Sequence, residues 1–399
     1  MGRTRKVLAQ SRAAPASSVL FPVGQACGQG ESWQVDLCKL KRADSVLSEA
    51  TRRLRLVIAV RPENEIEQRD LFIENKIQQP RLRYSPPSAV DMSQVEALTL
   101  PSCCFWGELL ATTRRRLLRL HTLLTREGDL NVRNFSREVY GAPSEQLQSV
   151  ARRLLEKVKF EPGKEVSWEF TRDVLERSLR EFGLTGWTVK PAPGDFTSAR
   201  TSEKTIYLTP IGKLYEGTAE RLAVHEIGVH AVRSHNGDAQ PLSHFSFGWP
   251  GYEITEEGLA TYAELHTGLI SKRAVVNYSA RVLAVAALDR GLSFRHCYES
   301  LRDLGLAITP AWEATLRAYR GNGFYKDHIY LQGLLEVFQF IREGGDWETL
   351  FVGKVGLHHL DRVRKDLEIN TLKRPSVIPS FLKQEPRKSE IWDLVDSLV

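Results

Sequence analysis

The sequence predicts an α+β protein that is mostly α-helical, with one small sheet and a helical N-terminal region. Apolar residues recur at helical spacing from about residue 43 to residue 159. Short β-like runs separated by glycine and proline follow Pro162, and helical spacing returns from about Gly217. A helical first third, a small sheet and a helical second half are typical of the α+β class.

In the first third, Val46, Ala50 and Leu54 share one helical stripe, which Pro62 ends. Residues 79–87 are rich in proline and are expected to be extended, because a proline disfavours helix in the residue before it. Further helices are predicted over residues 90–98, 105–126 and 144–159.

After Pro162 the sequence predicts a helix over 167–182, followed by β-like runs at 187–190, 196–198 and 205–208. Later helices are predicted at 217–235, 255–269, 272–290, 294–304, 310–320, 325–342 and 356–368. The proline-rich tail after Arg374 is expected to be loose as far as a short amphipathic piece near 391–398. The predicted divisions are a disordered leader (1–38), a helical N-terminal region (39–163), a main domain (164–372) and a loosely ordered tail (373–399).

Composition narrows the class of protein. No run of 18 apolar residues occurs, so no membrane-spanning helix or membrane partner is expected. The N-terminus is basic but lacks the apolar stretch of a secretion signal. Five cysteines, an odd number without a Cys-x-x-Cys pair, favour a reducing, cytoplasmic location and argue against a zinc site built from cysteines.

The formal net charge is +6, and part of it lies in basic runs such as residues 114–116. A modest excess of this kind is typical of a solvated surface. A basic nucleic-acid binder is the alternative, but no nucleic-acid-binding fingerprint supports it, so no nucleic-acid partner is expected.

Residues 225–230 read His-Glu-Ile-Gly-Val-His, one residue longer than the His-Glu-x-x-His of zinc peptidases. On a regular α-helix, residues four apart share a face, whereas residues five apart do not. His225 and His230 can bind one ion only if the helix widens locally, as a π-bulge does. Gly228 lies between them, where backbone freedom would help. Either the helix is distorted or the histidines are packed residues and not ligands.

The third ligand of such a site is expected to be a carboxylate or another histidine. Residues 254–262 offer Glu256 and Glu257 near the start of a second helix, which Thr255 is expected to begin. By themselves, the two acids are typical of a solvated helix start. Together with the first motif they predict a metallopeptidase in which Glu226 is the general base, and the residues alone leave open which glutamate is the ligand.

These two motifs resemble those of the tyrosine carboxypeptidase family, which includes the microtubule-associated enzyme and bacterial flavohaemoglobin-expression-modulating QEGLA-motif proteins. The family pairs His-Glu-Ile-Gly-Thr-His with Gln/Glu-Glu-Gly-Leu-Ala; here Val229 replaces the threonine. The resemblance implies a zincin-like fold and one Zn²⁺ per chain, held by His225, His230 and Glu257. It implies Glu226 as the catalytic base, and it favours Glu257 as the ligand because the family varies at the position before it.

Two outer segments, residues 79–84 and 317–331, are also similar to family segments. The resemblance implies a zinc carboxypeptidase that removes a terminal Tyr or Phe from a peptide or protein. The later segment supplies Arg317, Arg320 and Lys326 as candidates to receive the substrate's terminal carboxylate, and surface charge is the alternative for each. Tyr330 and nearby aromatic residues are expected either to line a side-chain pocket or to form core.

Two other functions remain open from the sequence: a zinc endopeptidase, and a non-catalytic regulatory protein on the same fold. An endopeptidase needs no cation for a terminal carboxylate, whereas an inactive relative is expected to lose a ligand or Glu226. Glu253 and Glu264 are candidates to orient the ligand imidazoles. The strand at 205–208 is expected to flank the cleft, where an edge strand can pair with a peptide backbone. The oligomeric state is not predicted.

Overall fold

The computed structural model describes residues 33–85, 90–100, 104–126, 129–159, 163–192, 199–209 and 214–399. The predicted β-like run at 196–198 and most of the predicted leader lie outside these ranges. The first helix, α1, begins at Trp33, inside the segment for which the sequence predicts disorder. The predicted α+β class is confirmed, because helices surround one small sheet.

The helices before the sheet follow the apolar spacing of the sequence. Ser144 and Ser167 cap two of them, since each side-chain oxygen accepts a hydrogen bond from the backbone N–H three residues later. The bounds are α1 Trp33–Arg53, α2 Leu56–Ala59, α3 Glu65–Ile73, α4 Ser93–Glu96, α5 Phe105–Thr125, α6 Arg133–Tyr140, α7 Glu145–Lys157 and α8 Trp168–Glu181.

The sheet contains β1 (Thr188–Pro191), β2 (Ala199–Ser202) and β3 (Thr205–Leu208) in the order β1-β3-β2. β3 pairs in parallel with β1 and antiparallel with β2. The expectation that residues 205–208 form an edge strand is therefore wrong, because β3 is central. β2 lies at the edge and, through Thr201, approaches the helix that carries His225 and His230, here called the motif helix (Ala223–Ala231).

The second half is again helical. The bounds are α9 Thr218–Leu222, a π-helix Ala223–Ala231, α10 Val232–Asp238, α11 His244–Phe247, α12 Glu253–His266, α13 Lys272–Asp289, α14 Phe294–Asp303, α15 Ile308–Tyr319, α16 Ile329–Arg342, α17 Leu360–Glu368 and α18 Glu390–Asp396. Short 3₁₀ turns lie at Arg320–Asn322, Tyr325–His328, Glu348–Val352, Leu357–His359 and Ser380–Lys383.

The described residues from 33 onward belong to one compact unit, Ser32–Val399. One apolar cluster surrounds the π-helix and includes residues of the sheet and of most helices of the second half. A second cluster joins α1 and α5 to residues 242–249. Residues after Arg374 also reach the first cluster, where Leu382, Trp392 and Val395 are buried. The division into an N-terminal region and a main domain stays a prediction.

Most predicted helices are confirmed, with ends that shift by a few residues. The sequence missed α3, α6 and α11, which are short. The helix predicted over 90–98 is only four residues long. α3 has a weak amphipathic pattern, and α6 offers few apolar positions, so periodicity alone did not detect them.

Candidate active site

The motif helix is widened where the sequence requires it. Residues Ala223–Ala231 form a π-helix between α9 and α10, which confirms the predicted distortion. His225 and His230 are brought together, with ring centroids 4.8 Å apart and ring planes at 84°. Both imidazoles are buried. A π-helix has more residues per turn than an α-helix, so a spacing of five residues can present two side chains to one point.

Gly228 has a different role from the one expected from backbone freedom. A Cβ at this position would lie 2.8 Å from the ring of Phe381, which packs on the outer side of the motif helix. The glycine therefore permits the C-terminal segment to approach the helix closely. Asn236 of α10 also contacts the C-terminal segment, since its side chain hydrogen-bonds the backbone of Ser376 and Val377.

α12 carries the second motif and begins at Glu253, two residues before the predicted start. Thr255 does not cap it: its hydroxyl accepts a hydrogen bond from the backbone N–H of Leu357. Gly258 lies against Gly333 of α16, where a Cβ would meet backbone at 2.3 Å. This close crossing explains the glycine of the second motif, because any side chain there would separate the two helices.

Glu257 completes a group of three potential metal ligands, His225, His230 and Glu257, here called the three-residue group. Its Oε2 lies 3.9 Å from Nε2 of His225 and 3.7 Å from Nε2 of His230. One ligand atom from each residue lies within 4.8 Å of the others. A tetrahedral metal with bonds of about 2.0 Å separates its ligands by roughly 3.3 Å. Two imidazoles and one carboxylate thus fit a divalent ion after a small contraction.

His225 is oriented by a carboxylate on α12. Its Nδ1–H donates to Oε1 of Glu264 at 2.8 Å, and Arg221 donates to the same oxygen at 2.7 Å. Glu264 was one of two predicted candidates for this role. The bond leaves Nε2 of the imidazole as the nitrogen that faces Glu257, which is the arrangement that a metal-binding histidine needs.

His230 is oriented in a similar way, but by Glu256 and not by the predicted Glu253. Its Nδ1–H donates to Oε1 of Glu256 at 2.8 Å. Lys354 lies 2.8 Å from the same oxygen, and Arg233 donates to Oε2. Glu256 is therefore neither a solvated helix-start acid nor a member of the three-residue group, but the partner of a ligand imidazole.

The charges around the site keep all three carboxylates ionised. Burial opposes the charge of each, but neighbouring cations outweigh it. Lys326 and the two histidines lower the pKa of Glu257 to about 2. Lys354 and Arg233 hold the pKa of Glu256 well below its usual range, and Arg221 and His225 lower that of Glu264.

Glu226, the predicted base, is buried beside the first histidine. The hydroxyl of Thr201 on β2 lies 2.7 Å from its Oε2 and 3.1 Å from its backbone carbonyl. The small sheet thus reaches the motif helix at the residue that the sequence assigns to proton transfer.

The three predicted carboxylate-binding cations are in different environments. Lys326 donates to Oε1 of Glu257 at 2.7 Å, so it lies directly at the three-residue group. Arg317 and Arg320 are both buried and donate to Asp327 at 2.6 and 3.1 Å. Their guanidinium groups therefore hold the 3₁₀ turn that carries Lys326, and a role for them in binding a substrate carboxylate stays a prediction.

The aromatic residues of the same segment also divide into two groups. Tyr330 lies under Lys326, with Nζ 5.1 Å from the ring centroid, and stacks on Tyr278 at 5.3 Å. Phe324 and Tyr325 are fully buried, and the Tyr325 hydroxyl donates to Asp289. Tyr330 is thus next to the candidate site, whereas Phe324 and Tyr325 belong to the core.

Sequence reasoning did not identify Arg221, Arg233, Lys354 or Thr201. A signal for the two arginines was present, because Arg221 precedes His225 by four residues and Arg233 follows His230 by three. Helical neighbours at these spacings meet. Lys354 and Thr201 come from distant segments and carry no local signal.

Comparison with known proteins identifies the family of this chain. The family model described as microtubule-associated tyrosine carboxypeptidase matches residues 83–398, and the chain belongs to that family. The rat protein named microtubule-associated tyrosine carboxypeptidase 1 is 24% identical over 389 residues, covering 92% of this chain and 74% of its own. Its human counterpart is 29% identical over 157 residues, covering 36% and 32%.

The described helices were also compared with the length and hydropathy that a bilayer requires. Within the described ranges, no helix is both long enough and apolar enough to cross a membrane.

Proposed function

We propose that this chain is a zinc-dependent carboxypeptidase that removes a C-terminal aromatic residue, Tyr or Phe, from a peptide or protein. The observation that carries the proposal is the convergence of His225, His230 and Glu257 beside Glu226. Membership in a family whose relatives are named tyrosine carboxypeptidases supports the choice of reaction and of side chain.

In this proposal one zinc ion binds His225, His230 and Glu257. Two neutral imidazoles and a carboxylate are a common ligand set for catalytic zinc. A zinc ion supplies Lewis acidity, which polarises a carbonyl group and makes water more acidic. Glu264 and Glu256 contribute by fixing the imidazoles with Nε2 directed towards Glu257.

Glu226 is the proton carrier of the proposed reaction. Its carboxylate takes a proton from the attacking water and delivers it to the nitrogen of the leaving residue. Its place in the chain, next to the ligand His225, keeps it beside the three-residue group. The buried position of its side chain limits exchange of that proton with bulk water.

Lys326 is the proposed receiver of the substrate's terminal carboxylate. Its ammonium group has three donors, and one of them is directed at Oε1 of Glu257. An ammonium group so close to the ligand set suits an exopeptidase, because the terminal carboxylate lies only a few bonds from the scissile carbonyl. Tyr330, beneath Lys326, is the proposed wall for an aromatic side chain.

The test is hydrolysis of peptides that differ only in the last residue, or that end in Tyr as an acid or as an amide. We expect release of Tyr and Phe from free acids and little release from the amide. Glu226→Gln should lower kcat by about a thousandfold while zinc content is retained. Lys326→Met should lower kcat/KM roughly ten- to a hundredfold for the free acid.

The matched control is Lys383→Met, which removes a surface lysine paired with Glu348 and should leave turnover unchanged. Equal cleavage of the acid and the amide, or cleavage at internal bonds, would favour the endopeptidase. A zinc-loaded protein that releases no residue from any member of the series would favour the non-catalytic alternative.

A further inference from the structure

The hairpin formed by β2 and β3 ends against the motif helix. Thr201 is the contact, with its hydroxyl 2.7 Å from Oε2 of Glu226. The hydroxyl also lies 3.1 Å from the carbonyl of the same residue. A threonine hydroxyl has one proton to donate, and the shorter distance favours donation to the carboxylate oxygen of Glu226 over donation to the carbonyl. The hydroxyl can therefore fix the orientation of the Glu226 side chain.

The hairpin turn is held in a strained conformation. Glu203 and Lys204 have φ values of 48° and 56°, a region that residues other than glycine seldom adopt. Strain of this kind persists only where the surroundings fix it, and it is common near functional sites. Here Arg55 of the segment after α1 pairs with Glu203, and Lys204 pairs with Asp238 of α10 at 3.3 Å.

The two faces of β2 have different partners. Side chains alternate along a strand, so Thr201 faces the motif helix while Ser202 faces away from it. Ser202 accepts a hydrogen bond from Arg55 at 2.5 Å. The outer face is thus used to fix the hairpin, and the inner face carries the hydroxyl to Glu226.

We infer that Thr201 is a positioning residue, whose hydroxyl holds the Glu226 carboxylate in the orientation needed for proton transfer. The inference rests on the proposed function, in which Glu226 is the base. It goes beyond the two motifs, because it assigns a role in the reaction to the small sheet. Thr201 acts through Glu226, the residue to which its hydroxyl hydrogen-bonds.

The test compares Thr201→Val, which keeps the shape of the side chain, with Thr201→Ser, which keeps the hydroxyl. A peptide ending in Tyr is the substrate. Thr201→Val should lower kcat about ten- to a hundredfold and leave KM within about twofold, because a misplaced base affects the chemical step. Thr201→Ser should retain kcat within about threefold. Thr122→Val makes the same change on the exposed face of α5, where the hydroxyl donates to the backbone carbonyl of Leu118, and should leave kcat unchanged.

A zinc-loaded crystal structure of Thr201→Val gives a readout that does not depend on turnover. The Glu226 side chain should adopt a new rotamer or two conformers, whereas Thr201→Ser should retain the parent rotamer. An unchanged Glu226 in Thr201→Val, or equal loss of kcat in the Val and Ser variants, would overturn the inference. If the parent cleaves no peptide, the proposed function fails, and the Glu226 rotamers alone decide whether Thr201 positions this carboxylate.

Discussion

His225 and His230 are oriented by the same kind of bond, yet the two carboxylates that orient them lie in different surroundings. Glu264 accepts from His225 and from one arginine, Arg221, both at Oε1. Its Oε2 is buried and has no hydrogen-bond partner among the described residues. The arrangement at His225 is therefore local, since it connects α12 only to the motif helix and the end of α9.

Glu256, by contrast, joins His230 to two cations. Arg233 is fully buried, and it also donates to the backbone carbonyls of Leu350 and Val355 at 2.8 and 2.6 Å. Lys354 comes from the same distant segment. The partner of His230 thus also fixes residues 350–355 against the motif helix. Glu264 therefore serves mainly the site, whereas Glu256 serves both the site and the fold.

The largest expected difference between the surroundings of Glu256 and Glu264 is in their contribution to stability. Arg233→Met should lower the free energy of unfolding by about 3–5 kcal/mol, because it leaves Glu256 with one cation fewer and two buried carbonyls without a donor. Arg221→Met should cost about 1–2 kcal/mol, since the side chain of Arg221 is 15% exposed and bonds only Glu264. Urea denaturation of the metal-free proteins measures both.

The control for these two variants is Arg342→Met, which removes an exposed pair with Asp396 and should change stability by less than about 0.5 kcal/mol. If Arg233→Met and Arg221→Met lower the free energy of unfolding equally, the distinction between a local arrangement and one that also holds the fold is contradicted.

This distinction also marks how far the sequence could predict the site. The spacing of His225 and His230 required a widened helix if both were to bind one ion, because a regular α-helix does not bring residues five apart to one point. Which glutamate faces Nε2 and which faces Nδ1 did not follow, since Glu256 and Glu257 are adjacent and chemically alike. Their roles depend on the crossing of α12 with the motif helix, and that crossing is set by packing at Gly258 and Gly333.

A similar reason explains why the sequence could not separate the three cations of the later segment. Lys326 was selected with Arg317 and Arg320 because all three are cations in one segment. The sequence did not reveal that Asp327, the residue after Lys326, accepts hydrogen bonds from both arginines. The fold class followed from periodicity, whereas the central position of β3 depends on pairing between strands that are too short to specify their order.

A smaller difference between Glu256 and Glu264 is expected in their effect on metal affinity. Glu264→Gln and Glu256→Gln both remove an orienting carboxylate, which typically weakens metal binding ten- to a hundredfold. We expect about tenfold for Glu264→Gln and about a hundredfold for Glu256→Gln. The second variant leaves the positive charges of Arg233 and Lys354 near the cation, whereas the first leaves only that of Arg221. Competition with a zinc chelator gives the affinities.

The double variant Glu256→Gln/Lys354→Met sharpens this prediction. Removal of the lysine lowers the repulsion on the bound cation, so part of the lost zinc affinity should return. The same Lys354→Met change in the parent should alter zinc affinity much less, because Glu256 then still carries its charge. No recovery in the double variant would indicate that the geometry of the imidazole, and not the local charge, sets the affinity.

The smallest expected difference is in the response of the metal-free protein to acid. Both carboxyls have an ordinary pKa near 4.5. Although burial opposes their charge, the pKa of Glu256 is held well below this value by Lys354 and Arg233, and that of Glu264 is lowered by Arg221 and His225. A carboxyl with a lowered pKa contributes its full stability above the ordinary value and loses it as the pH falls through the folded value.

Two cations, Lys354 and Arg233, contact Glu256, whereas one, Arg221, contacts Glu264. The contribution of Glu264 to stability should therefore disappear at a higher pH than that of Glu256. The carboxyl ¹³C shifts of labelled glutamate, assigned with the two Glu→Gln variants, report each protonation directly. We expect the Glu264 signal to move first as the pH falls below about 4.5, while the Glu256 signal stays in its ionised position. A reversed order would mean that the second cation at Glu256 does not reach its carboxylate in solution, and the comparison between the two histidines would lose its electrostatic basis.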